Sequence, residues 1–118
     1  MNGYSKHFFG GKDRGFKFDI KAIGNILKEL EIGVEKLSEV MTNNPFAAYP
    51  VILTEGLKRN AEVSKSEMPD PEEVIGWIEN DGILSEGVLN IIKAFSDSIV
   101  SLLPEAKQPK TKGKTEKK

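Results

Sequence analysis

Apolar residues along this chain follow two different periods, and the change falls near residue 20. In residues 15–20, Phe16, Phe18 and Ile20 alternate with Lys17 and Asp19. That two-residue repeat is the mark of a strand with one covered face. Residues 4–9 are also aromatic-rich but less regular, and Gly10-Gly11-Lys12-Asp13-Arg14 separates the two segments. Glycines in that loop tolerate positive φ, so the reading is a β-hairpin. Two strands alone are marginal in water, so this ribbon must lean on the helices, on a partner, or on a second copy.

From Asp19 onward the spacing becomes helical. Asp19 is placed to cap a first helix whose apolar positions are Ile20, Ile23, Leu27 and Leu30. Gly33 interrupts the pattern, and Val34, Leu37, Val40 and Met41 form a second stripe that stops at Thr42-Asn43-Asn44-Pro45. Asn44 before Pro45 reads as a cap and a first helical residue. Pro50 then removes a backbone donor, which predicts a short turn over residues 46–49, or a kink. Beyond it Leu53, Leu57 and Ala61 continue a stripe that fades at Ser64-Lys65-Ser66, read as a linker.

Asp70-Pro71-Glu72-Glu73 is a helix start, with Asp70 as cap and Glu73 placed to complete a capping box. Val74, Trp77 and Ile78 form the buried face of that helix, which Asn80-Asp81-Gly82 ends. The last helix starts at Ser85, with Leu84 placed to staple onto Leu89. Its stripe is Val88, Ile92, Phe95, Ile99 and Leu102; Ile91, Val100 and Leu103 make it wider than one packing partner needs. Pro104 stops the helix, and residues 104–118 hold six lysines and no large apolar side chain. Such a segment is expected to be disordered. The fold class is therefore mainly α: a single domain over residues 1–103, in which a short hairpin (1–20) precedes a bundle of about five short helices, with no repeat.

Composition narrows the setting. The 118 residues contain no cysteine, which leaves no disulfide framework and no thiolate metal site. No signal peptide is visible in the first residues and no apolar run is long enough to span a membrane, so the expectation is a soluble, intracellular protein without membrane contact. The net charge of −1 conceals three blocks: +3 over residues 1–21, −8 over 22–103 and +4 over 104–118. Segregated charge of this kind steers encounters with other macromolecules.

Chemistry-bearing constellations are sparse. His7 is the only histidine and reads as a partly exposed ring in a strand, with no nucleophile and acid spaced around it. Asp70, Glu72 and Glu73 are explained by capping and the helix dipole. Gly10-Gly11-Lys12-Asp13 fails as a phosphate loop, because Lys6 stands where the first glycine belongs and Asp13 replaces the hydroxyl residue. Trp77 reads as core. No catalytic, metal-ligating or cofactor-binding set emerges, so the expectation is a protein that is not an enzyme. Tyr4, Phe8, Phe9, Phe16 and Phe18 interleave with Lys6, Lys12, Arg14 and Lys17, the combination single-stranded nucleic acid binders use. A small nucleic-acid-binding module using this ribbon and the lysine-rich end is thus an alternative reading, although Phe16 and Phe18 share one face as core residues would.

The order of elements carries a resemblance. Phe16-Lys17-Phe18-Asp19-Ile20-Lys21-Ala22-Ile23 with its F-x-F-D start, the segment 37–46 closing on Asn44-Pro45-Phe46, and Pro71-Glu72-Glu73-Val74-Ile75-Gly76-Trp77-Ile78 with its W-I-E helix are similar to the tail assembly chaperones of long-tailed, siphovirus-like bacteriophages and prophages. The resemblance covers roughly residues 8–103, and the chain departs from the pattern before Gly15. It implies a non-enzymatic protein of the bacterial host cytoplasm that binds and solubilises the tape measure protein and helps recruit the major tail protein to the tail tube. It further implies a longer frameshifted product, for which the lysine-rich end would suit an adenine-rich slippery run. An over-wide apolar helix face could take a partner helix in a groove or a second copy of the chain. Val88, Ile91, Phe95, Val100 and Leu103 are the candidate contact residues on that face.

Overall fold

Gly10 and Gly11 set the geometry of the N-terminal ribbon. In the computed structural model, which describes residues 3–103, both have positive φ, 65° and 86°. Two such residues in succession close a two-residue turn whose twist suits the flanking strands. Strand β1 (Tyr4–Phe9) therefore pairs antiparallel with β2 (Lys12–Lys17), Phe9 opposite Lys12 and Tyr4 opposite Lys17. The second strand begins three residues earlier than the hydrophobic alternation suggested, because the turn consumes only the two glycines. It also ends earlier: the Phe18 N–H donates to the Gly3 carbonyl at 2.8 Å, and Asp19 already belongs to the helix cap.

Five helices follow: α1 (Ile20–Leu30), α2 (Leu37–Asn43) entered through a 3-10 turn at Val34–Lys36, α3 (Pro45–Ser64), α4 (Pro71–Asp81) and α5 (Glu86–Leu102). Three of them, α1, α4 and α5, carry the side-chain caps the sequence marks, whereas Asn44 stands at the start of α3 without a side-chain capping bond. The Ala22 N–H donates to Asp19 Oδ1 at 3.1 Å, the Glu72 N–H to Asp70 Oδ1 at 3.0 Å, and the Val88 N–H to Ser85 Oγ at 3.4 Å. Each satisfies one otherwise orphaned first-turn donor. Among the described residues no reciprocal bond from Glu73 completes the expected capping box; its carboxylate faces the Arg14 side of the molecule instead. Glu31, in the left-handed region at φ 59°, ends α1. The segment 104–118, expected to be disordered, lies outside the described residues.

Pro50 does not produce the short turn expected over residues 46–49. Helix α3 runs unbroken through it for 20 residues. The proline forfeits the bond to the Phe46 carbonyl, a penalty of about 3 kcal/mol or more in a helix interior. Against this, α3 buries Ala48, Tyr49, Ile52, Leu53, Leu57 and Ala61 on both sides of Pro50. Full burial of each large aliphatic contributes about 1.5–3 kcal/mol, so packing outweighs the lost bond.

Helix α3 is the centre of the domain and touches β2, α1, α2, α4 and α5. Gly56 makes the closest approach possible: a Cβ there would stand 2.6 Å from the Phe18 ring. The hairpin contributes Phe9, Phe16 and Phe18, all fully buried, and the Phe18 ring meets Phe95 of α5 edge-on at 5.3 Å. The hairpin is thus part of the core, held between α3 along β2 and α5 along β1.

Candidate functional site

Three apolar positions that the sequence pattern assigns to buried stripes are exposed. Ile20 is 73% accessible, Leu102 47% and Val34 39%. Ile20 is the first residue of α1 and so leaves the face of Phe16 and Phe18. Helix α1 then buries Ala22 and Ile26, with Ile23, Leu27 and Leu30 only partly covered at the core edge. The result is an apolar cleft of about 240 Å³ between α1 and the end of α5, lined by Ile20, Ile23, Leu27, Val34, Leu102 and Leu103. Gly24 also lines it, and a Cβ there would stand in open space, with nothing within 4 Å.

A second hollow of about 420 Å³ adjoins the cleft and shares Ile20 and Leu102 with it. Its wall is charged. Arg59 Nε donates to Asp19 Oδ2 at 2.8 Å, Arg59 Nη1 to Glu62 Oε1 at 3.1 Å, and Lys21 Nζ stands 3.9 Å from Glu62. Burial alone would push the Asp19 carboxyl up, but the bonds from Arg59 and from the Ala22 N–H, with the charges of Arg59 and Lys17, hold it below its ordinary value. Hydrogen bonds to Asp19 and Glu62 raise the Arg59 guanidinium in turn. This joint between α1 and α3 fixes Ile20 at the mouth of the cleft.

The expected contact set needs correction. Val88, Ile91 and Phe95 have no accessible surface, because that side of α5 packs on the hairpin aromatics and α3. They are core residues in this fold. Val100 is half-buried, and Leu103 alone of the five lines the apolar cleft. The stripe on α5 is over-wide because it meets two partners, hairpin and helices, where the sequence argument allowed for one. Ile20 was missed because its period-2 and period-3.6 relations both pointed inward.

The other sequence candidates also find their places. Arg14 donates from Nε to the Phe9 carbonyl at 2.7 Å and from Nη2 to the Gly10 carbonyl at 2.8 Å, while its guanidinium carbon lies 3.8 Å from the centre of a Trp77 ring. Trp77 meets Phe9 edge-on at 5.8 Å. It is a half-buried clamp joining α4 to the hairpin turn. Of the five ribbon aromatics offered as a nucleic acid platform, Phe9, Phe16 and Phe18 are buried, which leaves Tyr4 and Phe8 accessible. His7 Nε2 lies 2.8 Å from Ser5 Oγ and the ring packs edge-on against Phe16 at 5.6 Å. Burial pushes its pKa down. A nucleophilic pair needs an acid orienting the other ring nitrogen, and among the described residues no carboxylate bonds to it.

One cluster had no sequence signal. Glu55 of α3 is buried, its carboxylate 3.5 Å from Lys58 Nζ, and it accepts a hydrogen bond from the Glu29 carboxyl of α1. That bond, with burial and the negative charge of Glu55, pushes Glu29 up to about 7; Lys58 opposes the shift. Two carboxyls and a lysine are too few for a cation cage. Among the described residues no group of three or more His, Cys, Asp or Glu could hold a metal, and no helix is long and apolar enough to cross a membrane.

Comparison with known proteins finds no matching family model and no significant match to a curated protein or a solved structure. The fold defines a small helical domain with an N-terminal hairpin in its core and an open apolar cleft at Ile20 and Leu102.

Proposed function

We propose that this chain is an assembly chaperone of long phage tails, acting in the host cytoplasm without catalysis. It binds amphipathic helical segments of the tape measure protein, keeps that protein soluble, and brings it to the major tail protein of the tail tube. The element order and motifs that resemble such chaperones support the reading. The observation that carries it is the open cleft between α1 and α5, with Ile20 and Leu102 standing exposed at its mouth. An amphipathic helix would lay its apolar stripe there, against Ile23, Leu27 and Leu103.

The test is binding of a purified tape measure segment to the chain and to Ile20→Asp and Leu102→Asp. Both sites are exposed, so the fold should survive. Covering one exposed Ile or Leu contributes about 1.5–3 kcal/mol, so each variant should bind about 10- to 100-fold more weakly. Binding should vary little with salt, because the contact is apolar. Unchanged affinity in both variants would overturn the proposal. So would preferential binding of single-stranded nucleic acid that weakens steeply as ionic strength rises, which is the counterion-release signature.

A further inference from the structure

A second groove, remote in sequence from the first, lies between the N-terminal half of α3 and the C-terminal half of α4. It encloses about 490 Å³, with Ile78, Pro50 and Ile83 forming its interior and Phe46 and Ile75 at its edges. Phe46 is 73% accessible and Ile75 38%, though both are large apolar side chains on helices. The volume falls within the range of about 300–1,000 Å³ typical of binding pockets.

Charge sets this groove apart. Glu79 lines it, and Glu72, Ile75 and Glu79 recur at helical spacing, so carboxylates alternate with the apolar edge along one stripe of α4. Residues 66–92 contain seven acidic side chains and no lysine or arginine. Ion pairs among the described residues engage Asp19, Glu39, Glu55, Glu62 and Asp97, but no acid of α4. The carbonyl end of α4 and the amide end of α3 carry about half a charge each of opposite sign and cancel, so the side chains set the sign of the groove. An apolar groove with an uncompensated acidic rim selects an occupant of opposite charge.

We propose that this groove binds a basic peptide segment of a partner protein, inserting a large apolar side chain between Phe46 and Ile75 with lysines or arginines against Glu72 and Glu79. The chain's own residues 104–118 match the charge but offer no large apolar side chain to insert. The site is independent of the tape measure reading, since it uses neither Ile20 nor Leu102.

The experiment uses the full chain and two labelled peptides, a short amphipathic Leu/Lys helix and its Leu/Glu counterpart, with fluorescence anisotropy as readout. The Leu/Lys peptide should bind at least about tenfold more tightly, and its affinity should fall with salt. Ile75→Ser and Glu79→Lys, both at exposed positions, should each weaken it by about tenfold, with thermal unfolding confirming an intact domain. All titrations are made in the Leu102→Asp background, which closes the α1–α5 cleft to amphipathic helices. Equal binding of the two peptides in that background, or insensitivity to both α4 variants, would overturn the proposal. Sedimentation gives a further check: self-association of the chain abolished by Phe46→Ser would identify a second copy as occupant, and the proposal would fail.

Discussion

Replacing Glu29 with Gln should make the protein more stable at neutral and alkaline pH and leave it unchanged in mild acid. Glu29 shares a hydrogen bond with the buried Glu55 carboxylate and is pushed from its ordinary 4.5 to about 7. A carboxyl whose pKa rises on folding holds its proton more tightly in the native state. Its stabilisation is therefore complete below about pH 4.5 and is lost as pH rises through about 7. At about 1.4 kcal/mol per pH unit the full displacement sets an upper bound of about 3.4 kcal/mol. Glu29 is exposed, and solvent screening reduces this to about 1–2 kcal/mol. The amide of Gln donates to Glu55 at every pH, so it reproduces the protonated acid. For a domain of this size about 1–2 kcal/mol corresponds to a midpoint shift of about 5–10 °C. Thermal unfolding followed by circular dichroism from about pH 4.5 to about 8 should show the two midpoints coinciding in acid and separating above neutrality, with the variant higher. His7, held below its ordinary value, contributes the opposite slope below about pH 6.5, but it does so in both proteins and cancels in the difference. Parallel curves, or a Glu29 carboxyl that titrates by NMR in the ordinary carboxylate range, would refute the reasoning.

Two substitutions test the hairpin's attachment. Arg14→Lys keeps the charge but cannot bond both turn carbonyls while stacking on Trp77, and a loss of about 1–3 kcal/mol should appear in urea unfolding with a shift of the Trp77 emission. Phe95→Ala removes the ring that faces Phe18 in a fully buried position; a cavity penalty of about 3–5 kcal/mol should appear as a lowered urea unfolding midpoint followed by circular dichroism.

The local features were legible in the sequence because they are made by residues within about four positions of one another. Asp19, Asp70 and Ser85 cap their helices as their spacing indicates, and the Gly10-Gly11 pair turns the ribbon. The class of fold, a hairpin followed by helices, follows from the change of period near residue 20. Periodicity reports that a face is apolar but not what covers it. Val88, Ile91 and Phe95 therefore read as surplus surface, whereas three hairpin rings and α3 cover them. Ile20 was drawn inward by two overlapping patterns, yet capping by Asp19 makes it the first helical residue and turns it outward.

Tertiary structure alone decided the rest. The cleft combines α1 with the end of α5, the Arg14–Trp77 clamp joins β2 to α4, and the Glu29–Glu55 pair exists only where α1 crosses α3. None of these partners lies within a helical turn of the other along the chain. Their meeting depends on which stripes the core consumes first, and α3 continues through Pro50 because that burial outweighs the bond the proline forfeits. Sequence thus determined where each element starts, stops and turns, through hydrogen bonds that are local. Packing determined which apolar residues remained uncovered to meet another molecule, because that depends on all the elements together.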